Sequence, residues 1–91
     1  MRESIPDIFD LPKDVVLDLP RITVVGDRQV LVENHRGIAS YRPDLLSIGY
    51  SSGRVSIRGC RLSIASISKD EVLIEGRVTT IRIDPDEVGQ G

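Results

Sequence analysis

A chain of 91 residues with 40% apolar content makes one small domain with a core, and that core is built mainly of Val, Ile and Leu. Aromatics are only 3% and Trp is absent, which argues against a protein that stacks single-stranded bases, and a net charge of −2 argues against a duplex binder. Cys60 stands alone, so there is no intrachain disulfide framework, and one thiol fits a reducing compartment.

The charge is segregated along the chain. Residues 1–20 and 62–91 are each net acidic. Residues 21–61 hold seven Arg against Asp27, Glu33 and Asp44. A basic middle between acidic ends suits head-to-tail or partner contacts, or an anionic surface held near one face. It also fits a solvated surface whose charges pair across strands. No apolar run approaches the ~20 residues of a membrane span, and the N-terminus lacks an apolar signal core. The expectation is a soluble, cytoplasmic protein.

Residues 1–11 alternate acidic and apolar side chains around prolines and read as a flexible arm with Phe9 as a hydrophobic anchor. Residues 12–84 read as a single β domain and 85–91 as a frayed tail. Pro12 to Asp18 is suited to one or two helical turns, stopped by Pro20. Strands are then expected at 21–25, 29–33, 38–41 and 45–50. Gly26-Asp27-Arg28 and Asn34-His35-Arg36-Gly37 form turns between them. Ser51-Ser52-Gly53 is the next hairpin turn.

From Leu45 to Ile83 apolar residues recur at every second position in short bursts, the signature of half-buried strands. Gly59 is expected to bend a strand that runs from Val55 through Ile64. Gly76 bends the following strand toward Ile83. An internal echo supports this: Val55-Ser-Ile57-Arg-Gly59 reappears 17 positions later as Val72-Leu-Ile74-Glu-Gly76. The fold class expected is all-β, a small antiparallel sandwich or roll of about 7–8 short strands. The alternative is a short β-solenoid.

Little in the chain points to catalysis. His35 is the single histidine and reads as a surface turn residue. No second His or Cys pair offers ligand spacing. Cys60 reads as a small strand residue rather than a nucleophile. The glycines 26, 37, 53, 59 and 76, with Asn34, read as turns and bends, and none forms a phosphate-cradling loop. The acidic side chains Asp70, Glu71, Glu75, Asp84 and Asp86 read as solvated strand ends. Arg54, Arg58 and Arg82 alternate with inward apolar residues, so each points to the outer face of its strand. If strand pairing makes those faces coincide, they form a candidate basic face for carboxylate, phosphate or an acidic protein surface. An interaction module is therefore expected in preference to an enzyme. The alternative is a regulatory domain binding a small anion through the Arg face. No catalytic residue, metal or cofactor is assigned.

The run Leu11-Pro12-Lys13-Asp14-Val15-Val16-Leu17-Asp18-Leu19-Pro20-Arg21-Ile22-Thr23 resembles the opening of the YabP/YqfC family of bacterial sporulation proteins, in particular its YqfC branch. So do Glu33-Asn34-His35-Arg36-Gly37-Ile38 and the later segments ending at Gly59, Ile64 and Gly76. The likeness covers about residues 8–84. It implies a small all-β protein needed for endospore formation, made in the mother cell, with no known catalytic residue and no cofactor. It also implies a larger YqfD-like membrane-associated partner, through which the protein is peripheral at a membrane; the small size, lean core and segregated charge make a homo-oligomer the other expectation. The serines 47, 51, 52 and 56 and the Gly-Gln-Gly tail depart from the pattern and are read as local variation.

Overall fold

Alternating apolar residues can be buried only on one side of a pleated strand, so each such run needs a neighbour to pair with and a layer to pack on. The structure, a computed structural model, describes residues 17–86. In these residues there are six strands and no helix: β1 (Arg21–Val25), β2 (Gln29–Glu33), β3 (Ile38–Arg42), β4 (Leu45–Tyr50), β5 (Gly53–Ile67) and β6 (Glu71–Pro85). They form one sheet in the order β1-β2-β6-β5-β4-β3, antiparallel throughout.

The long strands β5 and β6, 15 residues each, are the spine. The hairpin β1-β2 joins the first half of β6, with Val30 opposite Ile74 and Val32 opposite Val72. The hairpin β3-β4 joins the first half of β5, with Leu46 opposite Ile57 and Ile48 opposite Val55. The two ends of the sheet are thus built alike, related by an approximate two-fold axis between β5 and β6. The sequence echo is this symmetry: Val55–Gly59 and Val72–Gly76 occupy equivalent places.

Both halves contribute to one apolar cluster. Val30, Val32, Leu46, Ile48, Val55, Ile57, Val72 and Ile74 are fully buried, with Leu62 and Val78 beside them at the bend. Burying each large aliphatic is worth about 1.5–3 kcal/mol. Because the inner faces share one core, the sheet curves toward itself and its two outer faces point away from one another.

The curvature comes from β5 and β6. Register shifts interrupt their pairing at Arg58/Gly59 and between Cys60 and Ser63. Gly59 is in ordinary backbone conformation, but a Cβ there would run into the Arg77 carbonyl of β6. Gly76 has φ +140°, a left-handed value that favours glycine. The freed backbone groups are satisfied by the two hairpin turns. Gly76 and Val78 N–H donate to the Arg28 and Asp27 carbonyls at 3.2 and 2.7 Å. Gly59 and Leu62 N–H donate to the Asp44 and Pro43 carbonyls at 3.2 and 2.8 Å.

Several expectations are corrected here. The strands number six among the described residues, because the bends at Gly59 and Gly76 do not end β5 and β6. One continuous sheet takes the place of a sandwich of separate sheets, and antiparallel pairing excludes the solenoid, whose coils run parallel. Of the helical turn expected at Pro12 to Asp18, only Leu17 and Asp18 are described, and they form a turn. The rest of that segment, the Phe9 arm and the tail beyond Asp86 lie outside the described residues. The last strand runs one residue past Asp84 to Pro85, and Asp86 N–H donates to the Ser52 carbonyl at 2.8 Å.

Candidate functional site

The outer face of the β3-β4-β5-β6 half carries the arginines singled out in the sequence. Direct cross-strand partners share a face. Arg54 lies opposite Asp84, Ser56 opposite Arg82 and Arg58 opposite Thr80. Across the next strand Arg58 lies opposite Leu45, which pairs with Arg42. Val55 and Ile57, between these positions, are buried, so Arg54, Arg58 and Arg82 all project outward from adjacent strands. Arg42 joins them, a residue that sequence reasoning missed because its face depends on the β3-β4 register.

Four arginines thus share this face with one carboxylate, Asp84. Arg82 Nε donates to Asp84 Oδ1 at 2.7 Å and Arg42 reaches Asp44 in the hairpin turn at 3.6 Å. Arg54 and Arg58 are exposed, and no ion pair to either is seen among the described residues. Two guanidiniums that make no ion pair among the described residues, on a face shared with Ser40, Ser56 and Thr80, are equipped to receive carboxylates in bidentate fashion.

The Asn34-His35-Arg36-Gly37 turn is a clasp. His35 is not on the surface, as its place in a turn suggested, but is buried at 9% exposure. Gly37 N–H donates to its Nδ1 at 2.9 Å, so Nε2 carries the hydrogen and donates to the Ser68 carbonyl at 3.0 Å. The turn bridges the two halves. Asn34 N–H donates to the Asp70 carbonyl, and Arg36 N–H to the Gly49 carbonyl, each at 2.7 Å. Its side chains also hold the incoming chain. Asn34 Nδ2 donates to Asp18 Oδ1 at 3.1 Å and to the Leu19 carbonyl at 3.0 Å, and Arg36 Nη2 donates to Asp18 Oδ2 at 2.7 Å. The Asn34 hydrogen bond, with the charge of Arg36, lowers the Asp18 pKa below its ordinary 3.8. These residues are fully engaged in structure.

A shallow groove at the bend is lined by Arg28, Cys60, Arg61, Glu75 and Arg77. Arg28 and Arg77 both reach Asp27 at 3.4 Å, and Gln29 Nε2 donates to Glu75 Oε2 at 2.9 Å. Its charges are largely matched internally, and Cys60 is exposed with no histidine lining the groove. Among the described residues no group of three His, Cys, Asp or Glu is placed to hold a metal. Nor is any helix of the described residues long and apolar enough to cross a membrane.

Fold and surface define a small all-β protein whose distinctive chemistry is a basic sheet face. Residues 18–90 match the YabP family, and the chain belongs to it. It is 33% identical over 82 residues to the uncharacterized protein YqfC of Bacillus subtilis (strain 168), covering 90% of this chain and 88% of that relative. No solved structure matches. Membership in the YabP family suggests a sporulation-related protein.

Proposed function

We propose that the chain is a non-enzymatic interaction module of endospore formation, working in the mother-cell cytoplasm, whose basic sheet face docks an acidic protein surface. The observation that supports this is the register that gathers Arg42, Arg54, Arg58 and Arg82 on one outer face while leaving Arg54 and Arg58 without ion pairs among the described residues. In this reading a membrane-associated, YqfD-like sporulation protein is the docking partner, and the module is held at the membrane through it. The exposure of these arginines favours a protein surface over a small anion, which needs an enclosed pocket to exclude water.

The test is affinity capture from sporulating cells with the tagged chain and its Arg54→Glu/Arg58→Glu variant. Capture of a membrane-associated sporulation protein by the parent and its loss in the variant is the expected result. Equal capture by both places the docking surface elsewhere. A normal spore yield after deletion removes the sporulation role.

A further inference from the structure

The groove at the bend of β5 and β6 gathers a second set of cations. None of Arg42, Arg54, Arg58 and Arg82 lines it. It is a concave space of about 670 Å³ lined by Arg28, Arg61 and Arg77, with one carboxylate, Glu75, and the thiol of Cys60. That volume is within the range of small-molecule sites. The register builds it: Cys60 lies opposite Arg77, and Gln29 opposite Glu75. The Gly76 and Val78 N–H groups, bonded to the Arg28 and Asp27 carbonyls, fix the β1-β2 turn against the bend and bring Arg28 to the same place. A small anion needs surroundings that displace water, and here three elements supply them: that turn, β5 and β6.

The internal match of charge in the groove stops one short. Asp27 is shared: its Oδ1 meets Arg28 Nε and its Oδ2 meets Arg77 Nε, each at 3.4 Å. One carboxylate offsets one of two guanidiniums, and both stay largely exposed. Glu75 accepts a hydrogen bond from Gln29. Arg61 is exposed and makes no ion pair among the described residues. Three guanidiniums against two carboxylates leave one positive charge. Arg61 also has φ +56°, a left-handed value uncommon for a residue other than glycine, within the register shift between Cys60 and Ser63. Glycine would adopt it with less strain. Strained backbone of this kind concentrates at ligand sites, and here it carries the arginine that lines the groove.

We propose that this groove binds a phosphoryl group, between Arg61 on β5 and the Arg28–Arg77 pair that Asp27 holds together. A guanidinium presents a planar fork of N–H donors that fits phosphate oxygens in bidentate fashion. Glu75 on the same rim repels an anion and the guanidiniums are open to solvent, so binding is weak and falls with salt. The site is separate from the docking face and does not depend on that reading.

The test uses Cys60, the one cysteine of the chain, as a reporter, because it is exposed and lines the groove. The rate at which iodoacetamide, an uncharged reagent, alkylates the purified full chain is followed against millimolar inorganic phosphate, with chloride at matched ionic strength as the control. Phosphate is expected to slow alkylation saturably, and chloride to leave it unchanged. Arg61→Gly is expected to weaken phosphate binding about tenfold, the loss of one charge-assisted contact. It should melt no lower than the parent, because glycine relieves the backbone at φ +56°. Arg61→Gln, which leaves that backbone as it is, should weaken binding equally. Glu75→Gln keeps an acceptor for Gln29 and removes the repelling charge, so phosphate binds several-fold tighter. Arg54→Gln, on the docking face, leaves protection as in the parent. No protection by phosphate, equal protection by chloride, or Arg61 variants protected like the parent would each overturn the inference, and so would protection lost in Arg54→Gln. Co-sedimentation with phosphatidic acid vesicles separates the sources of the group. Vesicle binding that inorganic phosphate displaces and Arg61→Gln loses assigns a lipid headgroup. Protection by phosphate without vesicle binding assigns a soluble phosphate compound. Vesicle binding that phosphate leaves intact counts against the groove as the site.

Discussion

Replacing Gly76 with alanine tests the bend on which the whole arrangement depends. Two costs combine at this position. The backbone at φ +140° lies where an L-residue is strained by about 1–3 kcal/mol. The new Cβ would also sit 2.7 Å from the Arg61 carbonyl oxygen and 2.9 Å from the Leu62 Cα. Both are backbone atoms of the paired strand, and Leu62 is anchored in the core at 2% exposure, so β5 cannot retreat without disturbing that core. Overpacking of this kind adds about 1–3 kcal/mol. A total of about 2–6 kcal/mol, at about 4–8 °C per kcal/mol for a domain this size, lowers Tm by at least about 8 °C. Two glycines serve as controls. Gly26 has φ +56° but nothing within 4 Å of an added Cβ, so Gly26→Ala incurs only backbone strain, about 1 kcal/mol. Gly49 has no left-handed backbone and its nearest neighbour is 3.8 Å away, so Gly49→Ala stays within about 0.5 kcal/mol. Thermal melts followed by circular dichroism rank the three. A Gly76→Ala protein that melts with or above Gly26→Ala would refute the claim that close approach of β5 fixes the bend.

Four other outcomes are expected. His35→Ala leaves the Gly37 N–H and the Ser68 carbonyl without the buried ring and costs about 2–3 kcal/mol; a chemical denaturation midpoint unchanged from the parent would contradict the clasp. Asp18 has its pKa lowered, chiefly by the Asn34 hydrogen bond and also by Arg36. Its stabilisation is therefore fully present above its ordinary value of 3.8 and is lost as pH falls through the lower folded value. The Tm difference between the parent and Asp18→Asn should be constant from neutral pH down to the ordinary value of 3.8 and shrink below it, and a gap that widens on acidification would reverse the assignment. Leu46→Ala, at a fully buried site shared by both halves, should cost about 2–5 kcal/mol in urea unfolding, and a smaller loss would mean the halves do not share a core. Arg54→Glu/Arg58→Glu should alter stability by no more than about 0.5 kcal/mol per site, because neither side chain makes an ion pair among the described residues, while docking is lost. A large drop in Tm would mean these arginines are structural.

The bounds of β1, β2 and β4 coincide with the alternating runs read from the chain, because alternation is a local property and turns at Gly26 and Asn34–Gly37 punctuate it. The continuation of β5 through Gly59 was legible for the same reason: a glycine amid unbroken alternation marks a bulge. The strand count was overestimated at about 7–8 because the segments before and after the Gly76 bend are one strand, β6. The role of His35 was missed, since the groups that engage it are partly distant in sequence. Ser68 lies 33 residues away, and no local signal announces such a partner.

Sequence alone determined that this is an all-β chain with a lean aliphatic core, where its chain reverses, and which side of each strand the arginines occupy. Those properties follow from steric preference and period-two burial within a few neighbouring residues. Only the tertiary structure decided that Arg42, Arg54, Arg58 and Arg82 meet on one surface and that Arg28, Arg61 and Arg77 meet in one groove at the bend. A one-residue slip in pairing moves a strand's side chains to the other face. The faces therefore depend on long-range register, which is set jointly by core packing, the bulges near Gly59 and the backbone at Gly76.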